Sequence, residues 1–321
     1  MLTSVRLQGF KSFTDATVKL APLTVLIGTN GSGKSNFLDA IQILNRLSQV
    51  LHRQEEGDLF DVLGDDRSFL IDPKPFAVEI TISNGETYKC SFNEVEFEFK
   101  FEQSGDGQNE LKNLNFLNLV PSRLRQYERQ VNSVQIGVDG TGFAGVVAKL
   151  CQNENTKTAY LDWLTELRPE QIVDVEVRSG AANDLMFGLV EKNRGWMAAP
   201  ALSDGTLRFA ALVAVLFQPV KAKLICIEEI ENGMHPARLR LVLELLRAFV
   251  ANGTQVIVTT HAPWLLAWLS QEELAATQIF YRGEDGSSQV KSCGEHGFLM
   301  DALKNTPIEE LFAEGYLEQT L

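Results

Sequence analysis

The sequence predicts an α/β fold with a mainly parallel sheet covered on both faces, and an antiparallel β subdomain beside it. Two short apolar runs, Leu224–Ile227 and Val256–Val258, alternate with apolar helical segments. Strands that are apolar on both faces indicate a parallel sheet between helices. Elsewhere, the alternating segments Ala77–Ile82 and Val95–Phe101 are separated by Asn84-Gly85, which is a strong signal for a hairpin turn. These two patterns together predict the fold class.

The amino-terminal segment predicts strands followed by one helix. Extended-chain spacing is found at Val5, Leu7, Val18 and Leu20. Leu23–Ile27 is a short buried run that ends at Gly28. A helix is predicted from about Lys34 to Leu51, because apolar residues recur there at helical spacing. Its expected apolar face comprises Phe37, Leu38, Ile41, Leu44 and Leu47.

The middle of the chain gives a weaker signal. An acidic stretch from Glu55 to Asp66 predicts a solvated loop, and Ser104–Gly107 has the composition of another loop. Helical pieces are predicted over 143–151 and 159–167. A strand is predicted at Val173, Val175 and Val177.

The pattern sharpens after residue 200. Residues 204–217 predict a strongly apolar helix. Pro236 is expected to open a second helix and Gly253 to end it, which is the usual placement of these two residues at helix ends. The buried strand Val256–Val258 then leads directly into Thr259-Thr260-His261.

Composition excludes several classes of protein. The chain has 321 residues, 45% hydrophobic and 22% charged, which is typical of a globular protein. With 29 Lys and Arg against 42 Asp and Glu, its net charge of −13 excludes a strongly basic nucleic-acid module but leaves room for a local basic groove. No apolar run predicts a membrane span or a signal peptide. The four cysteines form no CxxC pair, so we expect neither a zinc site nor disulfides, and a cytoplasmic location.

One motif predicts a phosphate-binding loop. Gly28-Thr-Asn-Gly-Ser-Gly-Lys-Ser35 fits the pattern Gly-x4-Gly-Lys-Ser/Thr and lies between a predicted strand and a predicted helix. In such a loop the backbone N–H groups and the helix N-terminus converge on phosphate oxygens. Lys34 would add a positive charge at the β- and γ-phosphates, and Ser35 would offer a hydroxyl to Mg²⁺. The predicted ATP-binding residues are Gly28, Asn30, Gly31, Ser32, Gly33, Lys34, Ser35 and Asn36.

Two acids at the end of a buried strand form the second candidate element. Glu228 and Glu229 directly follow Leu224–Ile227. Glu228 could hold Mg²⁺ through water, and Glu229 could polarise an attacking water molecule. The alternative is that both are exposed surface charges, an interpretation that the phosphate loop disfavours.

Two further elements have functional and structural interpretations. Ser203, Asp204 and Gly205 stand at the start of the predicted helix 204–217, where they could bind a second anion. Ser203 or Asp204 could instead be an ordinary N-cap. His261 follows a buried strand and could sense a phosphate, although a lone histidine in such a place often has a structural role.

The order and spacing of these four elements resemble the ATP-binding cassette (ABC) superfamily, and within it the RecF/SMC branch. The opening SVRLQGFKSF…VKLAPLTVLIGTNGSGKSNFLDAI is similar to that branch's N-terminal strands and phosphate loop. The segments LSDGTLRFAAL, CIEEIENGMHP and VIVTTHAPWLL resemble the signature, acid-pair and switch-histidine segments of bacterial ATPases of this branch, many of which belong to anti-phage defence or genome-maintenance operons. The resemblance is specific over 1–51 and 200–270 and poor over 103–199.

The resemblance implies an ATPase head formed by residues 1–102 and 200–321, with 103–199 as an inserted α-rich lid or signature-side subdomain. It also implies that two heads sandwich two ATP molecules as a homodimer or higher oligomer. Ser203, Asp204 and Gly205 of one subunit would then face the phosphate loop of the other.

The resemblance further assigns roles to individual residues. Glu229 would orient the attacking water and His261 would contact the γ-phosphate, while Glu228 and Ser35 would hold Mg²⁺. Lys11 and Ser12 lie where family members approach the base or ribose.

The chain departs from the family pattern in two places. The signature has Ser-Asp-Gly-Thr from Ser203 to Thr206 instead of the transporter Ser-Gly-Gly-Gln, which argues against a transporter ATPase. Glu228 stands where Asp is commoner.

The sequence has no Asn-Lys-x-Asp guanine-reading motif, so ATP is favoured over GTP.

Two functional hypotheses remain open at this point. The first is an ATP-driven switch, with slow turnover, that controls a separate effector such as a nuclease or toxin in anti-phage defence. The second is a RecF-like DNA-repair ATPase that binds DNA directly, which would use Arg123, Arg125 and Arg129 as a phosphate-binding patch. The acidic net charge favours a protein partner.

Overall fold

The computed structural model describes residues 1–52, 75–93, 98–104, 111–129, 134–168, 170–180, 182, 184–302, 306–307 and 310–311. The predicted acidic loop Glu55–Asp66 lies outside these described residues, as do most of Ser104–Gly107 and the start of the predicted strand Val95–Phe101.

The strands, in chain order, are β1 (Leu2–Gln8), β2 (Asp15–Lys19), β3 (Leu23–Ile27), β4 (Phe76–Ile82), β5 (Thr87–Asn93), β6 (Glu98–Gln103), β7 (Leu114–Leu117), β8 (Glu128–Arg129), β9 (Ile172–Ser179), β10 (Asp184–Glu191), β11 (Gly195–Ala198), β12 (Leu224–Ile227), β13 (Gln255–Thr259), β14 (Gln278–Arg282) and β15 (Ser288–Ser292). The helices are α1 (Lys34–His52), α2 (Pro121–Leu124), α3 (Phe143–Leu150), α4 (Glu154–Leu167), α5 (Asp204–Phe217), α6 (Leu239–Ala251), α7 (Pro263–Ala267), α8 (Gln271–Ala276) and α9 (Gly297–Ala302). Within the described ranges, no helix combines the length and apolar character needed to cross a bilayer.

The chain divides into two compact units. Unit 1 comprises residues 1–114 and 255–321, and unit 2 comprises residues 115–254. This partition differs from the predicted one, because α5, β12 and α6 belong to the same unit as most of the predicted insert. The predicted division into a head (1–102 and 200–321) and an insert (103–199) stays a prediction.

The antiparallel subdomain of unit 1 is a five-stranded sheet in the order β2-β1-β4-β5-β6. Val5 of β1 lies between Val18 of β2 and Ile80 of β4. Along β4, buried and partly exposed residues alternate, because one face of the strand covers the core. Asn84-Gly85 makes the turn between β4 and β5, with Gly85 at φ 85°, and the predicted hairpin is confirmed.

A second group of strands in unit 1 has the order β15-β14-β3-β13. The strand β3 pairs in parallel with both β13 and β14. Every residue of β3 and β13 is buried, as expected for parallel strands that are covered on both faces. The mainly parallel sheet predicted from the apolar runs is therefore confirmed. The antiparallel β14–β15 hairpin was not predicted, and Glu284 and Asp285 lie in its turn.

Unit 2 contains a sheet as well as helices. Its strands have the order β11-β10-β8, and β9 also pairs with β10. The described part of 103–199 is therefore less α-rich than the sequence predicted. The strand β10 was missed because five consecutive buried residues, Leu185–Leu189, leave no alternation to detect. The strand β9 and the helices α3 and α4 match their predictions to within a few residues at most ends.

The helix α5 begins at Asp204 and ends at Phe217, as predicted. Ser203 is its N-cap, and the Ser203 hydroxyl accepts a hydrogen bond from the Thr206 amide at 3.3 Å. Tyr160 of α4 is fully buried and donates its hydroxyl to the Ala210 carbonyl of α5 at 2.9 Å. Pro236 opens a short 3₁₀ turn before α6, and Gly253 follows the helix at φ 84°.

The buried side-chain amide of Gln255 hydrogen-bonds to both sheets of unit 1. Gln255, at the start of β13, accepts a hydrogen bond from the Leu2 amide at 2.8 Å. The Gln255 amide nitrogen donates to the carbonyls of Leu2 at 2.8 Å and Ala21 at 3.0 Å. One side chain thus satisfies backbone groups of β1 and of the segment that leads into β3.

We expect Gln255→Leu to lower the free energy of unfolding by about 2 kcal/mol or more, because it leaves buried backbone groups without their partner. Denaturant unfolding would measure the change. Gln8→Leu is the matched control, because within the described part of the chain the Gln8 side-chain amide bonds to exposed Asp15 alone, and we expect about 0.5 kcal/mol or less for it. Equal losses in both variants would contradict the role given to Gln255.

Candidate phosphate-binding and hydrolytic site

The predicted phosphate loop connects β3 to α1 in unit 1. The Ser32 amide donates to the Thr29 carbonyl at 3.2 Å, and the Phe37 amide donates to the Gly33 carbonyl at 2.9 Å as α1 begins. Gly28 and Gly33 have φ values of 139° and 113°, which side chains rarely tolerate. The loop therefore has the tight turn and exposed helix N-terminus that hold phosphate groups.

The glycines of this loop are also required by close neighbours. A Cβ atom at Gly28 would overlap the Phe280 carbonyl of β14. A Cβ atom at Gly33 would lie 2.5 Å from the Ser288 hydroxyl and 3.0 Å from the Phe13 ring. The β14–β15 hairpin thus packs so closely against the phosphate loop that a side chain at Gly28 or Gly33 would collide with it.

Lys34 and Ser32 supply the polar centre of the loop. The Lys34 ammonium donates to the carbonyls of Gly28 at 2.7 Å and Thr29 at 2.9 Å, and the residue is 7% exposed. The Ser32 hydroxyl is buried and makes no hydrogen bond to any part of the protein that the structure describes. A buried cation and an unsatisfied hydroxyl inside a glycine loop fit a ligand that brings anionic acceptor oxygens.

Lys11 and Ser12 contact the start of α1. Lys11, with φ 48°, places its ammonium 2.7 Å from the Asp39 carboxylate. The Ser12 hydroxyl accepts from the Asn36 side-chain amide at 2.8 Å and lies 2.7 Å from the Ser288 hydroxyl. Lys11 and Ser12 therefore both contact the first two turns of α1, Ser12 through Asn36. The predicted contact of Lys11 and Ser12 with a base or ribose stays a prediction.

His261 lies at the same sheet edge as the phosphate loop. The strands β13 and β3 run in parallel, with Thr259 opposite Leu26, and the Thr260 amide donates to the Leu26 carbonyl at 3.1 Å. His261 comes next and is partly exposed. Because the carboxyl ends of adjacent parallel strands meet at one edge, unit 1 brings His261 beside the loop that follows β3.

In unit 2 the acid pair directly follows β12. The Glu228 amide donates to the Leu117 carbonyl of β7 at 3.1 Å, and the Asn118 side chain donates to the Glu228 carboxylate at 3.2 Å. Glu229 has φ 45°, and its carboxylate accepts a hydrogen bond from the Asn232 side-chain amide. A left-handed conformation costs a non-glycine residue roughly 1–2 kcal/mol, and such strain clusters at functional sites.

The signature residues pack against the loop that follows the acid pair. A Cβ atom at Gly205 would overlap the Gly233 carbonyl. Gly233 has φ 69°, and a Cβ atom there would lie 3.2 Å from the Asp204 Cβ. Unit 2 therefore places the first turn of α5 in contact with the segment that starts at Glu229.

The three arginines predicted as a DNA-binding patch do not share a helix face. The helix α2 ends at Leu124, and Arg125 turns to the signature, where it donates to the Asp204 carboxylate at 2.5 Å and the Leu202 carbonyl at 2.9 Å. Arg123 instead donates to Asp139 at 2.9 Å. Arg125 and Arg123 are thus each paired with an acid of unit 2, and the predicted contact of these arginines with DNA stays a prediction.

Sequence reasoning missed four residues that support the candidate site. They are Asn118, Arg125 in its contact with Asp204, Gly233 and Ser288. Each meets a predicted site residue only through tertiary contacts, so no motif marks it. The one available signal was the position of Asn118 directly after a short apolar segment.

The oxygen donors at the predicted metal ligands suit Mg²⁺. Ser35 is an exposed hydroxyl at the start of α1, and Glu228 is a partly exposed carboxylate. Mg²⁺ prefers one or two such protein oxygens together with water and substrate phosphates. Taken separately, each donor is of a type that Mg²⁺ accepts, and their joint role as metal ligands stays a prediction.

We expect Gly205→Ala to lower kcat for ATP hydrolysis at least ten-fold with little change in ATP affinity. The new Cβ would displace Gly233 and with it the loop that positions Glu229, and small misplacements of catalytic groups have large kinetic effects. Steady-state phosphate release would measure the change. Gly297→Ala is the control, because a Cβ there meets nothing within 4 Å. Unchanged kcat in Gly205→Ala would contradict the packing argument.

Two family models match the chain. Residues 109–267 match the model described as "AAA domain, putative AbiEii toxin, Type IV TA system". Residues 1–132 match the model described as "AAA ATPase domain".

Several relatives have detectable sequence similarity to the chain. An OLD nuclease of Thermus scotoductus is 24% identical over 82% of this chain, which spans 59% of that relative's length. An ATP/GTP phosphatase of Helicobacter pylori is 22% identical over 91% of both chains. A DNA replication and repair protein RecF of Gloeobacter violaceus is 46% identical over 57 residues, 17% of this chain and 15% of that one.

Solved structures share the fold. An Smc head bound to the C-winged helix domain of ScpA has a TM-score of 0.59 at 18% identity, over 94% of this chain and 99% of that chain. An SMC head domain from Thermotoga maritima has a TM-score of 0.52 at 19% identity, over 91% and 98%. The two ATPase family models and the relatives support an ATPase of the SMC/RecF-like ABC type, and the solved structures show that the chain has the fold of an SMC head.

Proposed function

We propose that this chain is a molecular switch that binds ATP between two copies of itself, hydrolyses it slowly and controls a separate effector protein. The observation that carries the proposal is the phosphate loop. Its glycine-lined backbone, its unsatisfied Ser32 hydroxyl and the buried Lys34 ammonium all stand at the N-terminus of α1. This arrangement suits the β- and γ-phosphates of a nucleotide.

Binding would rely on backbone and side-chain donors of unit 1. The loop amides from Asn30 to Lys34 and the dipole of α1 would hold the phosphates, while Lys34 would move its ammonium from loop carbonyls to phosphate oxygens. Lys11 and Ser12 would limit the space for the ribose or base. His261, at the neighbouring strand end, would contact the γ-phosphate.

Hydrolysis would rely on the acid pair of unit 2. Glu229 would accept a proton from the attacking water, and its hydrogen bond from Asn232 would fix the direction of its carboxylate. Glu228 and Ser35 would hold Mg²⁺, and Asn118 would orient the Glu228 carboxylate. When bound, Mg²⁺ would neutralise phosphate charge and favour a positioned triphosphate.

The signature supports the proposed dimer. The Ser203 hydroxyl and the Gly205 amide stand at the N-terminus of α5, a 14-residue helix whose dipole favours an anion there. In a head dimer they would bind the γ-phosphate held by the other copy. ATP would then favour the closed dimer and hydrolysis would favour its separation, which is a shift between two states.

The effector is the least direct part of the proposal. Its support is the similarity to an OLD nuclease and to a family model whose description names a toxin. A shared fold with an Smc head that binds a ScpA domain is compatible with a protein partner. We propose a nuclease or toxin as that partner, and anti-phage defence as its setting.

We expect Glu229→Gln to keep ATP binding, to reduce hydrolysis at least a hundred-fold and to accumulate an ATP-bound dimer, because the amide cannot accept the water proton. Phosphate release and analytical ultracentrifugation would measure both effects. Glu231→Gln, in the same loop, is the control and should hydrolyse ATP at the normal rate. Full turnover by Glu229→Gln would exclude the role assigned to Glu229.

We expect Ser203→Arg to block ATP-dependent dimer formation while the monomer still binds nucleotide, because the long side chain would occupy the trans phosphate position. Sedimentation with and without ATP would show it. Ser270→Arg is the matched control, since Ser270 caps α8 in unit 1 and its loss has the same local cost of about 1 kcal/mol. A normal ATP-dependent dimer of Ser203→Arg would count against the trans contact.

A further inference from the structure

The signature of this chain contains an acid where a phosphate is expected. Ser203 and Gly205 would face the γ-phosphate in the proposed dimer, and Asp204 stands between them with its side chain 54% exposed. Two neighbouring negative groups repel each other, and the repulsion is stronger when a closing interface excludes water. An acidic signature therefore needs a nearby positive charge before it can accept a phosphate.

Arg125 supplies such a charge in unit 2. Its guanidinium lies 2.5 Å from the Asp204 carboxylate, and the Arg125 side chain is 28% exposed. The same terminal nitrogen donates to the Leu202 carbonyl at 2.9 Å, one residue before the N-cap. One side chain thus holds both the Asp204 carboxylate and the backbone that leads into α5.

Arg208 follows Asp204 by one turn along α5. It is only partly exposed, and its Nε is buried and makes no hydrogen bond to the residues that the structure describes. Burial lowers the pKa of Arg208, and the carboxylates of Asp204 and Glu229 oppose that shift. Asp204 is therefore influenced by two guanidinium groups, of which Arg125 makes the direct contact.

We propose that Arg125 is a positioning residue that neutralises Asp204 and so allows this acidic signature to bind a phosphate. The inference rests on the proposed trans contact of the signature. Arg125 does not itself touch the nucleotide. It keeps the Asp204 carboxylate turned away and leaves the Ser203 hydroxyl and the Gly205 amide to the incoming anion.

A purely structural role for Arg125 predicts something different. If Arg125 only braces the Leu202 carbonyl, removing the Asp204 charge cannot compensate for its loss. If Arg125 neutralises Asp204, removing both charges restores phosphate binding. The double variant therefore separates the two roles.

The test uses the full chain carrying Glu229→Gln, so that hydrolysis does not disturb the equilibrium, and measures the dimer dissociation constant with ATP by sedimentation. We expect Arg125→Gln to weaken the dimer at least ten-fold. The double variant Arg125→Gln with Asp204→Asn should return to within about three-fold of the parent. Nucleotide binding by the monomer should stay unchanged in every variant, because the phosphate loop belongs to unit 1.

Two further variants complete the experiment. Arg123→Gln removes the same charge from the same segment but breaks the contacts with Asp139 and Gln126 and leaves Asp204 paired, so it should leave the dimer unchanged. Arg125→Lys keeps the charge and covers the case in which Arg125→Gln does not fold; it should dimerise within about three-fold of the parent.

The outcomes are distinguishable. A dimer of Arg125→Gln as tight as the parent, or a double variant no better than Arg125→Gln, would overturn the inference while leaving the dimer proposal intact. No ATP-dependent dimer in the Glu229→Gln parent would overturn the proposed function and the inference with it.

Discussion

Close approach of one backbone to another, at positions without a Cβ atom, is the constraint on which the phosphate loop of unit 1 and the signature segment of unit 2 both depend. In unit 1, Gly28 lies against the Phe280 carbonyl. In unit 2, Gly205 lies against the Gly233 carbonyl. The first contact sets the phosphate loop against β14, and the second sets the start of α5 against the loop that follows β12, so the donors at the start of α1 and α5 are held in place before any ligand arrives.

The local arrangement of donors and cations explains how an acidic protein can present a loop suited to an anion. The chain has a net charge of −13, yet the phosphate loop presents backbone donors, a helix dipole and one buried ammonium, Lys34. Near the signature, Arg125 pairs directly with Asp204, and Arg208 lies within the influence of Asp204 and Glu229. Local arrangement therefore decides the sign of the field at each site, and total charge does not.

The parts predicted from the sequence are those that lie close together along it. The phosphate loop and the acid pair are continuous segments whose flanking strands and helices have clear periodicity, so their positions were predicted and the structure brings each to a strand end. The contacts that hold them were not predictable, because Ser12 meets Ser288 across 276 residues and Asp204 meets Arg125 across 79. The strand β10 was not predicted for a different reason, because its buried and exposed residues do not alternate.

The backbone conformation of Glu229 lowers the stability of unit 2. At φ 45° a glycine has no steric penalty, whereas a glutamate adopts a strained backbone conformation there. Unit 2 would thus be more stable with a residue that has no carboxylate at all. Under the hydrolytic role proposed for Glu229, this loss of stability is what it costs the chain to place a carboxylate at this position.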